Sequence, residues 1–199
     1  KGTQDHSYNV VMDLVRRYDL DGIHFDDYFY PYPDYNNFKD FPDDKSWQAY
    51  QASGGKLSRS DWRREAVNTF IERLYKGIKA EKPWVKFGLS PFGIWQPYNP
   101  PAIGGGFNQH ETLYADAKLW LNKGWIDYYS PQLYWPINQI AQSFPVLLGW
   151  WNEQNLKGRS LWPGISIGLS PTSRAIDETV NQIMVTRGIL PNSPGVIHW

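Results

Sequence analysis

Strict alternation is the feature that most limits what this chain can fold into. Short apolar runs suited to strands recur five times, at residues 22–28, 86–93, 126–135, 161–169 and 195–199. Stretches with helical spacing precede and separate them. The spacing predicts helices over 4–18, 61–82, about 112–124, 138–156 (broken or delayed at Pro145) and 173–188. Val10, Val11, Leu14, Val15 and Tyr18 line one face of the first, and Val67, Phe70, Ile71, Leu74 and Ile78 one face of the second. Thr112 is the expected cap of the third, with Leu113, Ala117, Trp120 and Leu121 inward. Ser173 is the expected cap of the last, with Ile176, Val180 and Ile183 inward. Helix and strand in strict turn require a parallel sheet with right-handed crossovers.

Two α/β architectures satisfy that order in a single domain over residues 1–199. One is an open, doubly wound sheet. The other is the C-terminal portion, strands four to eight, of a (β/α)8 TIM barrel, whose full length is about 250 residues. An open nucleotide-binding sheet needs a glycine-rich loop that opens a helix. Here Gly104-Gly105-Gly106 sits mid-loop and opens none. The long loops, about 29–60 and 94–111, follow strands and are rich in aromatics and proline. In a barrel they gather at the C-terminal face, where barrel enzymes carry their sites. The truncated barrel is therefore favoured, with loop 29–60 expected to lack regular structure.

Composition removes several functions. Lys+Arg and Asp+Glu are 20 each, so no net field favours nucleic acid or an anionic membrane. Without cysteine there is neither a disulfide scaffold nor a thiolate metal site. No apolar run approaches the ~20 residues of a membrane helix. The 11 Trp, 13 Tyr and 9 Phe fit either a large aromatic core or a sugar cleft, because pyranose faces stack on such rings.

The first apolar run ends in Asp26-Asp27 and opens into Tyr28-Phe29-Tyr30-Pro31-Tyr32-Pro33. Alternation puts His24, Asp26 and Tyr28 on the barrel's inner side, with Asp27 inward only once the strand has ended. Asp26 is the leading catalytic carboxylate, with Asp27 or Glu111 as partner and Asp34 in reserve; Glu111 equally suits a helix N-terminus. His24 suits a support beneath the acids. Gln132 and Tyr134 share parity on the third run and should line a cleft. Trp95, Tyr98, Trp135, Tyr30 and Tyr32 lie just beyond strand ends, where a sugar would stack, and Ser90 and His198 are further polar candidates. Asp127 lies at the wrong end of its strand and reads as structural. Trp120, Trp150 and Trp151 read as packing. No cofactor is called for. A metal-dependent glycan hydrolase or deacetylase using His24, Asp26, Asp27 and His198 is one alternative. A non-catalytic glycan-binding barrel is the other.

Four segments carry a resemblance: GIHFDDYFYPYP (22–33), FGLSPFGIW (87–95), FNQHETLYADAKLWL (107–121) and WIDYYSPQLYWPI (125–137). Together they resemble the bacterial glycosyl-hydrolase-like family 10. The resemblance implies a (β/α)8 barrel acting on oligo- or polysaccharides, in an exported protein of the periplasm or cell envelope. It also implies barrel strands upstream of Lys1, so the open edges of this piece should favour self-association or a longer chain. The frame from Asp21 to Tyr28 is similar to the DGxDxDxE strand of family 18 chitinases. Asp26 matches its third acid, but Tyr28 stands where those enzymes carry the catalytic glutamate, which weakens a substrate-assisted mechanism.

Overall fold

The computed structural model describes residues 2–167 and 173–199, the side chains of residues 173 and 174 excepted. Its helices are α1 (Gly2–Arg17), α2 (Asp44–Ala52), α3 (Arg59–Glu81), α4 (Gln109–Thr112), α5 (Ala117–Lys123), α6 (Phe144–Gln154) and α7 (Ser173–Ile189). The strands are β1 (Gly22–Phe25), β2 (Lys86–Leu89), β3 (Tyr128–Tyr129), β4 (Ser160–Leu161), β5 (Gly164–Ile165) and β6 (Ile197–His198). All pairings are parallel. β1, β2, β3 and β4 pair in that order, and β5 pairs with β6. Single bridges from Phe92 to Gln132 and from Gln132 to Gly164 tie the two sheets together.

β4 and β5 are two ends of one chain segment, so the strand positions follow chain order without reversal. A doubly wound sheet must reverse its order at a switch point. The helices settle the matter further, since α1 packs on α3, α3 on α5, α5 on α6 and α6 on α7. They form one continuous outer layer. The chain is thus an arc of a (β/α)8 barrel.

Alternation along the strands builds the two sides of this arc. Phe87 and Leu89 are fully buried toward the helices, as are Tyr129, Leu161 and Ile165. They meet Ile71, Leu74 and Ile78 of α3, Trp120 and Leu121 of α5, and Leu147, Leu148 and Trp151 of α6 in one core. Each such aliphatic side chain stabilises the fold by roughly 1.5–3 kcal/mol. Between Phe87 and Leu89, Gly88 faces the inner side. A Cβ there would lie 2.1 Å from the Tyr128 ring, so only glycine lets that ring lie across the strand.

Capping explains several boundaries. Ser58 accepts a hydrogen bond from the Asp61 N–H at 3.1 Å and starts α3 two residues before the expected position. Thr112 does not cap a helix; it ends the short α4. Asp116 caps α5 instead, accepting from the Leu119 N–H at 3.2 Å. Gly124, in the left-handed region at φ 69°, closes α5 as expected. The expected Ser173 cap and positions 168–169 of the fourth run lie outside the described residues.

Three other expectations change. Loop 29–60 is not structureless: it holds a 3-10 turn at Pro33–Asn36 and the helix α2. On α1 the buried face is Val11, Met12 and Val15, while Val10, Leu14 and Tyr18 are exposed. On α7 Ile176 and Val180 are exposed with Met184, and Gln182 and Thr186 turn inward. The cause is common to both helices. Each ends the helical layer and has a neighbour on one flank only, so the stripe at i, i+4, i+8 facing the other flank stays uncovered.

Candidate active site

β1 ends at Phe25, and the alternation ends with it. The chain turns after Asp27, whose C=O accepts from the Phe29 N–H at 2.9 Å. Both carboxylates therefore reach the inner side. Asp27 is the more enclosed, at 3% exposure. Its Oδ2 accepts a short hydrogen bond from the Tyr32 hydroxyl. Asp26 Oδ1 accepts from the Asp27 N–H at 2.9 Å and from Gln132 Nε2 at 2.9 Å. Gln132 Nε2 also donates to the Ser90 carbonyl at 2.9 Å, which fixes the amide between two strands.

His24 lies below the acids. Its Nδ1 is 2.9 Å from the Tyr128 hydroxyl and its Nε2 is 2.7 Å from Ser90 Oγ, and its ring stacks on Tyr128 at 5.6 Å. Burial lowers its pKa despite the opposing charge of Asp26, so the neutral ring donates to one hydroxyl and accepts from the other. Burial raises the pKa of Asp27, the Tyr32 hydrogen bond opposes the rise, and the Asp26 charge adds to it. Burial and both acids push Tyr134 up to about 12, and burial with the Asp27 hydrogen bond raises Tyr32 further. Both phenols remain hydrogen-bond donors across the physiological range.

These groups surround a cavity of about 560 Å³ at the C-terminal ends of the strands. Asp26, Asp27, His24, Tyr28, Ser90, Gln132, Tyr134 and His198 all line it. Five expected residues do not. Tyr98 stays exposed in loop 94–111, where its N–H donates to the Ile103 carbonyl at 2.9 Å. Glu111 pairs with Arg64 at 3.1 Å and His110 at 2.7 Å at the N-terminus of α4. Trp95 donates to Asp116 at 3.2 Å and stacks on Trp150. Trp135 packs edge-on against Phe92. Tyr30 packs edge-on against Phe41 and Tyr114, beside a second cavity of about 650 Å³ along the open edge of β1. Glu111 and Trp95 are held against α3 and α6 of the helical layer, whereas Trp135 and Tyr30 pack against residues of other loops.

Asp34, Tyr32, Tyr35, Ser130 and Trp199 also line the acid cavity. Asp34, the reserve carboxylate, and Tyr32, expected where a sugar would stack, both reach the cavity because the loop returns to it, a course that no local pattern in the sequence shows. The sequence signal for Ser130 is its shared parity with Gln132 and Tyr134.

The returning loop is held by Arg63 of α3. Its Nε and Nη2 reach Asp43 at 2.9 and 2.8 Å, Nη1 reaches Asp40 at 2.8 Å, and Nη1 also donates to Tyr114 at 2.6 Å. At the opposite end of β3, Asp127 accepts from the Phe87 N–H at 2.8 Å and pairs with Lys79 at 2.5 Å. Glu178 of α7 accepts from the Ile137 N–H at 2.7 Å. Among the described residues no group of three or more His, Asp or Glu side chains is placed to hold a metal ion, and no helix is long and apolar enough to cross a membrane.

A family model described as Glycosyl hydrolase-like 10 matches residues 2–183. The chain is similar to Glycosyl hydrolase YngK of Bacillus subtilis (strain 168), 37% identical over 197 residues, covering 92% of this chain and 38% of the relative. It is similar to Glycosyl hydrolase DigH of Escherichia coli (strain K12), 35% identical over 154 residues, covering 75% and 34%. The chain thus spans little more than a third of the length of these relatives. Among solved structures, bee venom hyaluronidase in complex with a hyaluronic acid tetramer aligns over 100% of this chain and 55% of its own, at 15% identity and a TM-score of 0.44. That likeness is too remote to support an inference.

Proposed function

The chain belongs to the glycosyl hydrolase-like 10 family, and on that premise we propose that it is the acid-bearing part of a glycosidase barrel that cleaves a polysaccharide, such as one of the bacterial cell envelope. The observation that carries this reading is Asp27, a buried carboxyl with a raised pKa that faces a cavity of sugar-binding size beside a second carboxylate. Glycoside hydrolysis needs one carboxyl to protonate the leaving oxygen and one to attack or to activate water.

Asp27 takes the first role. Tyr32 occupies its Oδ2, which leaves Oδ1 to carry the transferable proton. Asp26, oriented by Gln132, takes the second role and faces the positive charge that develops on the sugar ring. Tyr28, exposed at the cavity wall, offers a ring for stacking. Residues 1–199 then belong to one catalytic domain, and the resemblance that suggests a glycan also suggests an exported protein. The metal-dependent alternative finds little support, because both His24 nitrogens face hydroxyl partners. The binding-barrel alternative is separated by assay. Release of reducing ends from a bacterial envelope polysaccharide is expected, and binding without any release would sink the hydrolase reading.

The pH profile follows from the same group. The acid must be protonated, so activity falls as pH rises through the Asp27 pKa. Because that pKa is raised, the descending limb should lie above the ~3.9 of an ordinary aspartate. A limb at or below that value would count against Asp27 as the acid.

The uncovered stripes on α1 and α7 support self-association of this chain. Sedimentation velocity should show a mean mass that grows with concentration. A monodisperse monomer over a hundredfold range would exclude it.

A further inference from the structure

Tyr32 reaches Asp27 from a loop, and a phenol on a loop keeps one orientation only where packing locks its ring. From its own loop the ring meets Tyr28 edge-on at 5.8 Å and Tyr35 edge-on at 6.3 Å. Those two rings are 60% and 69% exposed, so they restrain it little. Phe107 of loop 94–111 instead lies flat against Tyr32, with ring centroids 5.0 Å apart and planes 24° from parallel. Phe107 is backed by Phe92, edge-on at 5.1 Å, and Phe92 by Trp135. All four rings pack against the core. They form a row that runs from the loop after β3 to the loop after β1 and ends on the acid.

The backbone on both sides of Phe107 is pinned. Gly106 has φ 151°, in a region that favours glycine. Asn108 caps α4, accepting from the Glu111 N–H at 3.2 Å. Gln109, fully buried, donates to the Phe92 and Ile94 carbonyls at 2.6 and 2.8 Å and ties the end of the loop to its start. Phe107 does not line the acid cavity itself, so any influence on the acid passes through Tyr32. We propose that Phe107 is a positioning residue: its face holds the Tyr32 hydroxyl on Asp27 Oδ2 and so keeps Oδ1 as the oxygen that gives up the proton. The role of Asp27 as acid rests on the glycosidase reading; the row of contacts does not. The titratable groups that face Asp27 are Asp26 of the same turn, Tyr28 and Tyr32 of the following loop, and Tyr134 after β3. Of these, Tyr32 is the one stacked on Phe107.

The test is an NMR titration of the Asp27 carboxyl carbon in the full chain, labelled at aspartate, with the Asp27→Asn protein identifying the resonance. Tyr32→Phe removes a hydrogen bond that favours the carboxylate, so the Asp27 pKa should rise by about one unit, a tenfold gain in proton affinity. Phe107→Ala should raise it in the same direction, by about half a unit or more. Added in the Tyr32→Phe background, Phe107→Ala should give no further rise. A merely structural role would act differently: it would admit water to Asp27, which lowers the pKa, and would do so in both backgrounds alike. Phe107→Leu keeps apolar bulk without a flat face and should reproduce the rise, so it carries the test should Phe107→Ala fail to fold. Equal shifts in the two backgrounds overturn the proposal, as does a Phe107 variant that leaves Asp27 unmoved, or a Tyr32→Phe protein that does. The titration needs no turnover. The expected coupling without any release of reducing ends keeps the Phe107 assignment and sinks the hydrolase reading; release without coupling does the reverse.

Discussion

Asp27→Asn should lower the release of reducing ends by about 10²–10⁴-fold, the usual contribution of a positioned general acid, while leaving the fold intact. The amide is nearly isosteric, and its oxygen can still accept from Tyr32. The sign of the stability change sharpens the test. A carboxyl whose folded pKa is raised stabilises the fold at low pH, and that contribution is lost as pH climbs from the unfolded toward the folded pKa. Above its raised pKa the ionised Asp27 is a burden on the fold, so there the Asn variant should melt at the same temperature or higher. Loss of activity together with loss of stability would instead mark Asp27 as a structural acid. Asp26→Asn offers a complementary reading. Removing its charge takes away one influence that raises Asp27, so any residual activity should show its descending limb at lower pH.

Arg63→Ala should cost roughly 3–5 kcal/mol in a denaturant titration, the largest stability effect expected of any single substitution here. The guanidinium is 3% exposed and Asp43 8%, so truncation leaves a buried carboxylate with Arg59 as its remaining partner, at 2.5 Å. Arg63 also ties down Asp40 and Tyr114, with the Tyr114 ring 4.9 Å below it. Lysine should not rescue the variant, since a single ammonium cannot meet two carboxylates and a phenol in one plane. Activity should fall as well, because the loop that Arg63 anchors carries Tyr32 to Asp27. A variant within 1 kcal/mol of wild type would show that the clamp contributes little.

Much of the framework is legible in the amino-acid sequence. Alternation of two periodicities predicted the parallel order, and the parity of His24, Gln132 and Tyr134 predicted three inner residues, because both are local properties of strands. Loop residues fared differently. Glu111, Trp95, Trp135 and Tyr30 were expected at the site only because they follow strand ends. Their positions depend on partners far away in the chain, such as Arg64, Asp116, Phe92 and Tyr114, which no local pattern identifies. The stripes on α1 and α7 failed for a related reason. Periodicity finds an apolar face but not whether a neighbour covers it, and both helices lie at the ends of the layer. Helix α2 was missed because its apolar residues are few and none is buried; Trp47 and Tyr50 instead meet Trp62 in a surface aromatic cluster.

Asp26 and Asp27 share a peptide bond, and the N–H of the second is bonded to the carboxylate of the first. In a site whose acids come from two strands, their separation can drift as one strand slides against the other. Here the spacing is a property of a single turn and moves as one piece. Variation that retunes such a site for another sugar has no lever on the distance between the acids. It must work on the walls instead, through positions such as Tyr28, Ser130, Tyr134, Gly164 and Trp199. Relatives that differ in the glycan they accept should therefore keep the turn and differ around it.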